Sequence, residues 1–388
     1  ALVGFDFLHS TGKSSDTNSW HQGYSTSTET LGLQLWKQGG VPAYCWHWKD
    51  PRKEQEAFYN PGSGSPSTDF DFTKAFKAGT TEWDTESAIY QAMINDIDIV
   101  SLKLKTLQCK GVAVLWRPLH EASGGWFWWG SKGAKNYIAL YKLVFDRMVN
   151  VNKNKNLIWV WNINTDPKFG YDYSALNGAW YPGDEYVDIV AVDIYDPLNN
   201  HNSAANYWNK IIEEVGTNKM IALSENGAIP DIDSIAEDKS YWSYWMTWSQ
   251  TWSGNFLEKT PTDMWKRNLD DERIIALDEM PGWDKVVADK STEGAIIAPS
   301  KVIANRRQLI ASSMSVDVIG NTIQMNIPTA GRGAVALYDL RGKLAMSIAR
   351  GNINAGTLSV STATLPRGKY ILRAIVGSNS LNKVVNVQ

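Results

Sequence analysis

Only two cysteines, Cys45 and Cys109, occur in 388 residues. That is too few for a disulfide scaffold, and neither lies in a metal-ligand spacing. Both are expected as buried free thiols, the common state of an unpaired Cys. Histidine is also scarce. The five are scattered, and His120-Glu121 lacks the second histidine of an HExxH helix, which disfavours a zinc hydrolase. No apolar run is long enough for a membrane span. The start, ALVGFDFLHSTG, has neither an initiator methionine nor the charged, apolar, small-residue succession of a signal peptide, so the native start is expected to have been removed. Long internal repeats and low-complexity segments are absent too.

What remains is globular in character, with 43% hydrophobic and 20% charged residues. The length implies two domains, one of which can be as large as a barrel. The net charge of −3 hides a split. Residues 301–388 carry eleven Lys and Arg against Asp317 and Asp339, while the preceding residues carry 27 basic against 39 acidic side chains. All 19 Trp fall before residue 301, and Tyr338 and Tyr370 are the aromatics after it. Two regions with different surfaces follow.

In the first region, short β-branched runs without clean alternation read as buried parallel strands. They are 2–7, 41–48, 112–119, 157–163, 187–195, 220–226 and 241–248. Helical spacing of apolar residues lies between several of them, at 28–38, 86–108 and 135–150. This alternation predicts an α/β fold, a (β/α)8 TIM barrel, over 1–291. A linker is expected at 292–301. Short alternating runs such as 334–340 and 369–376, separated by glycine turns, then predict a small immunoglobulin-like all-β sandwich over 302–388.

Barrel active sites form at the C-terminal ends of strands, and these runs finish in Asp6, His47, Glu121, Asn162, Tyr195, Glu225 and Trp248. Glu121 and Glu225 are far apart in sequence, and only a fold returning strands to one rim can unite them. Converging carboxylates suit glycosidic cleavage, which needs one acid to protonate the leaving oxygen and another group to attack or to activate water. Aromatic rings give sugars flat apolar faces. Trp46, Trp48, Trp126, Trp128, Trp129 and Trp248 cluster near the strand ends, with half of them expected in the core. The rings of 126–129 should raise the pKa of Glu121 by desolvation. Arg117 and Tyr195 should favour the charged form of a nearby carboxylate, unless Arg117 serves only a barrel-interior ion pair. The stretch GWFWWGSK at 125–132 is no phosphate loop, because it lacks Gly-Lys-Ser/Thr and its rings would block the cradle.

The segments WRPLHEASGGWFWWG at 116–130, IALSENG at 221–227 and CWHW at 45–48 resemble glycoside hydrolase family 26. The likeness runs over roughly residues 1–290. It implies a retaining (β/α)8 endo-β-1,4-mannanase, without cofactor or metal, whose acid/base ends strand 4 and whose nucleophile ends strand 7. By that resemblance Glu121 is the acid/base and Glu225 the nucleophile. His120 supports the centre and the sugar, His47 stands beside the −1 subsite, and Trp126 is the aromatic platform. Tyr195 orients the nucleophile and Trp248 stacks on sugar, with Trp48 and Trp129 counted among the sugar-facing rings and Arg117 as support. Ser249 stands where many members carry Arg, which leaves specificity one sugar further out open.

The two Glu fall on the third and sixth runs rather than the fourth and seventh. Residues 1–7 are therefore expected to be the family's second strand, with the first lost or upstream; the rival is a strand hidden in 69–85. In the basic region, ALYDLRGKL at 336–344, LPRGKYILRAIV at 365–376 and the final KVVNVQ resemble type IX secretion sorting domains. That implies export, secretion machinery as partner, and an extracellular or cell-surface location; a basic domain that merely packs on the barrel is the alternative. Nucleic-acid binding has no supporting motif. The alternatives for the barrel are a β-1,3-xylanase, a mixed-linkage glucanase, or a non-catalytic glycan-binding barrel.

Overall fold

The computed structural model describes residues 2–164, 178–195, 200–216, 218–248, 256–280, 314–319, 321–339, 343–377 and 379–387. The chain divides into two compact units, Ala1–Thr292 and Glu293–Gln388. The expected linker at 292–301 lies outside the described residues.

Among the described residues of the first unit, seven strands pair in parallel and in chain order. They are β1 (Leu2–Asp6), β2 (Val41–Cys45), β3 (Val114–Arg117), β4 (Leu157–Asn164), β5 (Ile189–Ile194), β6 (Met220–Asn226) and β7 (Trp245–Thr247). The end strands approach each other, since a Cβ on Gly4 of β1 would meet Met246 Sδ of β7 at 2.7 Å. This is the nearly closed parallel barrel that the strand and helix alternation implies. Each sequence run contains one strand, so Glu121 follows the third and Glu225 sits on the sixth. The rival strand at 69–85 is not there. That stretch holds a 3-10 turn, Phe72–Ala75, and an isolated antiparallel bridge from Phe76 to Trp83.

Among the described residues six helices accompany the strands: α1 (Ser19–Lys37), α2 (Ala88–Gln108), α3 (Ala134–Phe145), α4 (Ala205–Val215), α5 (Ile232–Asp238) and α6 (Thr262–Leu269). α1 begins well before the expected 28, because the Asn18 side chain accepts from the backbone N–H of Trp20 and His21 and caps the first turn. The spacing in α2 buries Met93, Ile97, Val100, Leu104 and Leu107 in the hydrophobic core of this unit, each contributing about 1.5–3 kcal/mol. Among the described residues no helix is long and apolar enough to cross a membrane. One cysteine expectation needs correction. Cys45 on β2 is buried, but Cys109 is exposed, because it closes the C-terminal end of α2.

All strand pairs among the described residues of the second unit are antiparallel. Strands β8 (Ser315–Ile319), β9 (Thr322–Ile327) and β12 (Gly356–Ser361) form one sheet. Strands β10 (Gly331–Tyr338), β11 (Leu344–Ile353), β13 (Gly368–Val376) and β14 (Asn379–Val387) form the other. Alternation on β13 sends Tyr370, Leu372, Ala374 and Val376 inward and leaves Lys369, Arg373 and Ile375 outside. The core, including Val316, Ile323, Met325, Val335, Leu337 and Val385, is aliphatic apart from Tyr370.

Candidate active site

The end of β3 delivers the first carboxylate. Beyond Arg117 the chain turns sharply, with Leu119 and Glu121 both in left-handed backbone at φ 53°. The turn is closed by Gly130, where a Cβ would lie 2.0 Å from the carbonyl oxygen of Ala122, so no side chain fits. Glu121 is 8% exposed. Its N–H donates to Asn162 Oδ1 at 2.8 Å, and its Oε2 accepts from the Trp126 indole at 2.9 Å. Burial holds the Glu121 carboxyl well above its ordinary pKa, helped by the negative charges of Asp193 and Glu225 and only partly opposed by Trp126 and Arg117.

The second carboxylate, Glu225, is buried near the end of β6. Its Oε2 accepts from the Tyr195 hydroxyl at 2.5 Å, and its Oε1 accepts from the Arg117 guanidinium. The same guanidinium donates to Asp193 Oδ2 at 3.0 Å. Asp193 is fully buried on β5, and burial pushes its pKa up to about 7 against the pull of Arg117. One carboxylate oxygen from each of Glu121, Asp193 and Glu225 lies within 4.8 Å of the others. Three acids so close could hold a cation, but Arg117 already supplies positive charge among them.

A histidine relay flanks this centre. His47 Nδ1 meets Asp6 Oδ2 at 2.6 Å, and His47 Nε2 meets His120 Nε2 at 3.2 Å. Burial opposes charge on Asp6, yet His47 and the backbone N–H groups of His47 and Leu8 hold its pKa below the ordinary value. Burial, then the charges of His47 and Arg117, holds His120 well below its ordinary pKa, so it is neutral. The two rings meet through their Nε2 atoms, and the buried His120 Nδ1 has no hydrogen-bond partner among the described residues. A second cluster brings ligand atoms of His9, His21 and Glu56 within 4.8 Å. The Lys49 ammonium bonds His9 Nδ1 and Glu56 there and already supplies a positive charge.

The rings divide sharply. His47, Trp126, Tyr195 and Trp248 are partly exposed. Trp48 and Trp129, expected to face sugar, are fully buried. The Trp48 indole donates to Asp96 Oδ2 at 2.8 Å and its ring stacks on Trp46 at 4.2 Å, while Trp129 donates to the His120 carbonyl at 2.8 Å. Their polar edges are satisfied inside the protein and no ring face is open, so both are core residues that brace the loop. Trp128 is likewise buried, donating to the Trp48 carbonyl at 2.6 Å. The expectations for Arg117 merge, because it is a barrel-interior ion pair that also grips Glu225. Ser249 lies outside the described residues. Asp193 and Ser224 escaped the sequence reading. Their signal was polarity inside the apolar runs 187–195 and 220–226, since a buried acid must be paired.

Paired carboxylates at the C-terminal rim of a parallel barrel, with ring faces opening beside them, are the arrangement of barrel glycoside hydrolases. The chain belongs to glycosyl hydrolase family 26, whose sequence model matches residues 1–275. It is 36% identical over 250 residues to a mannan endo-1,4-beta-mannosidase of Thermothelomyces thermophilus, covering 64% of this chain and 48% of that one. It is 33% identical over 288 residues to mannan endo-1,4-beta-mannosidase A of Piromyces, covering 73% and 42%. The chain thus spans about half the length of these curated relatives. Among solved structures, the beta-mannanase from a symbiotic protist of the termite Reticulitermes speratus, complexed with gluco-manno-oligosaccharide, is similar. Its TM-score is 0.62 and its identity 38%, over 73% of this chain and 81% of that one.

Proposed function

We propose that the first unit is a retaining endo-β-1,4-mannanase in which Glu121 is the acid/base and Glu225 the nucleophile. The observation that carries this reading is the carboxylate spacing within 4.8 Å. Retaining enzymes hold the pair roughly 5–5.5 Å apart, whereas inverting ones need roughly 6.5–9.5 Å to admit a water. Burial keeps Glu121 protonated, ready to donate to the glycosidic oxygen while Glu225 attacks the anomeric carbon. Arg117 and Tyr195 hold both oxygens of Glu225 and orient it. After the leaving group departs, Glu121 is a carboxylate and takes a proton from the water that cleaves the glycosyl ester. His47 and the partly exposed rings of Trp126 and Trp248 line the sugar's path, and neutral His120, itself buried, supports His47 from behind. No cofactor or metal is needed for either step.

The names of the relatives support mannan, glucomannan or galactomannan as substrate over β-1,3-xylan and mixed-linkage glucan. The convergence of both carboxylates weighs against a non-catalytic glycan-binding barrel. The basic sandwich we assign to export, as a type IX secretion sorting domain placing the enzyme outside a bacterial cell or on its surface. Its motifs at 336–344 and 365–376 support that. Fractionation of a secreting host expressing the whole chain, or a chain ending at Thr292, tests it: equal export of both refutes the assignment.

Hydrolysis of mannan, glucomannan, β-1,3-xylan and lichenan by the wild type, E121A and E225A tests the catalytic reading. Mannan cleavage abolished by either substitution is expected. Undiminished activity in either variant refutes the mechanism, and activity confined to another polymer refutes the substrate.

A further inference from the structure

Left-handed backbone is unfavourable for a residue bearing a Cβ, and it persists where the surroundings over-determine it. Glu121 adopts it at the point where its carboxylate must be placed. Its N–H is held by Asn162, a residue 0% exposed near the end of β4. The same amide donates through Nδ2 to Asp193 Oδ1 at 2.8 Å and to Ser224 Oγ at 2.7 Å. Ser224 Oγ donates in turn to Asp193 Oδ1 at 2.7 Å, and Asp193 is tied through Arg117 to Glu225. The carbonyl and the NH2 group of the amide are therefore both engaged. A flip would set its oxygen against the Asp193 carboxylate and its hydrogens against the Glu121 N–H, so one orientation is enforced.

We propose that Asn162 is a positioning residue that fixes Glu121 in its strained conformation and, through the buried network of Asp193, Ser224 and Arg117, sets its place relative to Glu225. The proposal rests on Glu121 being the acid/base, and it goes beyond that reading by naming what aims it. Asn162 touches no reacting atom. It acts on the backbone of Glu121, so its removal should impair acid and base steps together while leaving the nucleophile in place.

The test uses the whole chain with N162A, and N162S as a milder variant should N162A fold poorly. Substrates are mannan and an aryl β-mannoside with a good leaving group, each with and without azide. An activated aryl group departs without acid help, and azide attacks the glycosyl–Glu225 ester without base help, releasing the Glu225 carboxylate and a glycosyl azide. Mannan turnover should fall about a hundredfold, the scale of a displacement of about 1 Å at a reacting group. On the aryl substrate azide should accelerate the variant but not the wild type, with the glycosyl azide as product. The crystal structure of the variant should show φ at Glu121 away from 53° at an unchanged fold. Unaltered mannan turnover, equal losses on both substrates without an azide effect, or φ remaining near 53° would each overturn the proposal. If E121A itself shows no azide rescue, the acid/base assignment fails on its own, and the backbone angle in the Asn162 variant still decides the positioning role.

Discussion

Replacing Trp126 by Phe keeps a ring beside the cleft and deletes the indole N–H that donates to Glu121 Oε2 at 2.9 Å. A hydrogen bond to a charged group contributes about 1.5–3 kcal/mol. Trp126 is only partly buried, so water entering its place should recover about half, leaving about 0.8–1.5 kcal/mol. At about 1.4 kcal/mol per pKa unit, the shift is about one unit. Its sign follows from which form the bond favours. The N–H stabilises the ionised carboxylate, so losing it favours the protonated acid and raises the pKa of Glu121. The acid then stays competent to higher pH, and the alkaline limb of kcat/KM moves up by about one unit. Initial rates on mannohexaose across the full pH range measure this. An alkaline limb that stays still or moves down would refute the role of the bond, the assignment of the limb to Glu121, or both.

Arg117→Met should be costly at neutral pH, because it leaves Asp193 and Glu225 buried together without their cation. Thermal melts should lose about 3–5 kcal/mol, with a smaller loss below about pH 7, where burial lets Asp193 protonate. Tyr195→Phe removes one donor from Glu225 and should lower kcat/KM on mannan about 10- to 100-fold without lowering stability comparably, read by parallel kinetics and melts. Trp48→Ala should destabilise by about 3–5 kcal/mol yet leave KM of the folded fraction unchanged; a raised KM with unaltered stability would return Trp48 to the sugar. Thiol titration should find one reactive cysteine in the native protein, Cys109, and two after unfolding.

The barrel was legible because buried parallel strands leave an unbroken apolar trace, and each of the seven runs contains one strand. Glu121 and Glu225 could be picked out because a carboxylate ending such a run has no packing reason to be there. Which rings face the cleft was not legible. Trp126, Trp128 and Trp129 sit within four residues in a turn whose direction depends on two left-handed residues and on Gly130 meeting Ala122, and sequence alone does not reveal those angles. Asp193 lay in plain view within VDIVAVDIY, but its partners come from β3, β4 and β6, and pairings between distant strands leave no local mark. The start of α1 leaves little apolar trace, because its first turns are polar and are set by the Asn18 cap.

The contrast between the two cores has a spectroscopic consequence. Every indole belongs to the residues before 301, and the second core rests on aliphatic side chains and Tyr370. Red-edge excitation therefore illuminates the barrel alone, while the sandwich stays dark. A fluorescence melt and a far-ultraviolet dichroism melt of one sample would coincide only if the units unfold together. Any gap between them would time the sandwich's loss of structure with no label attached.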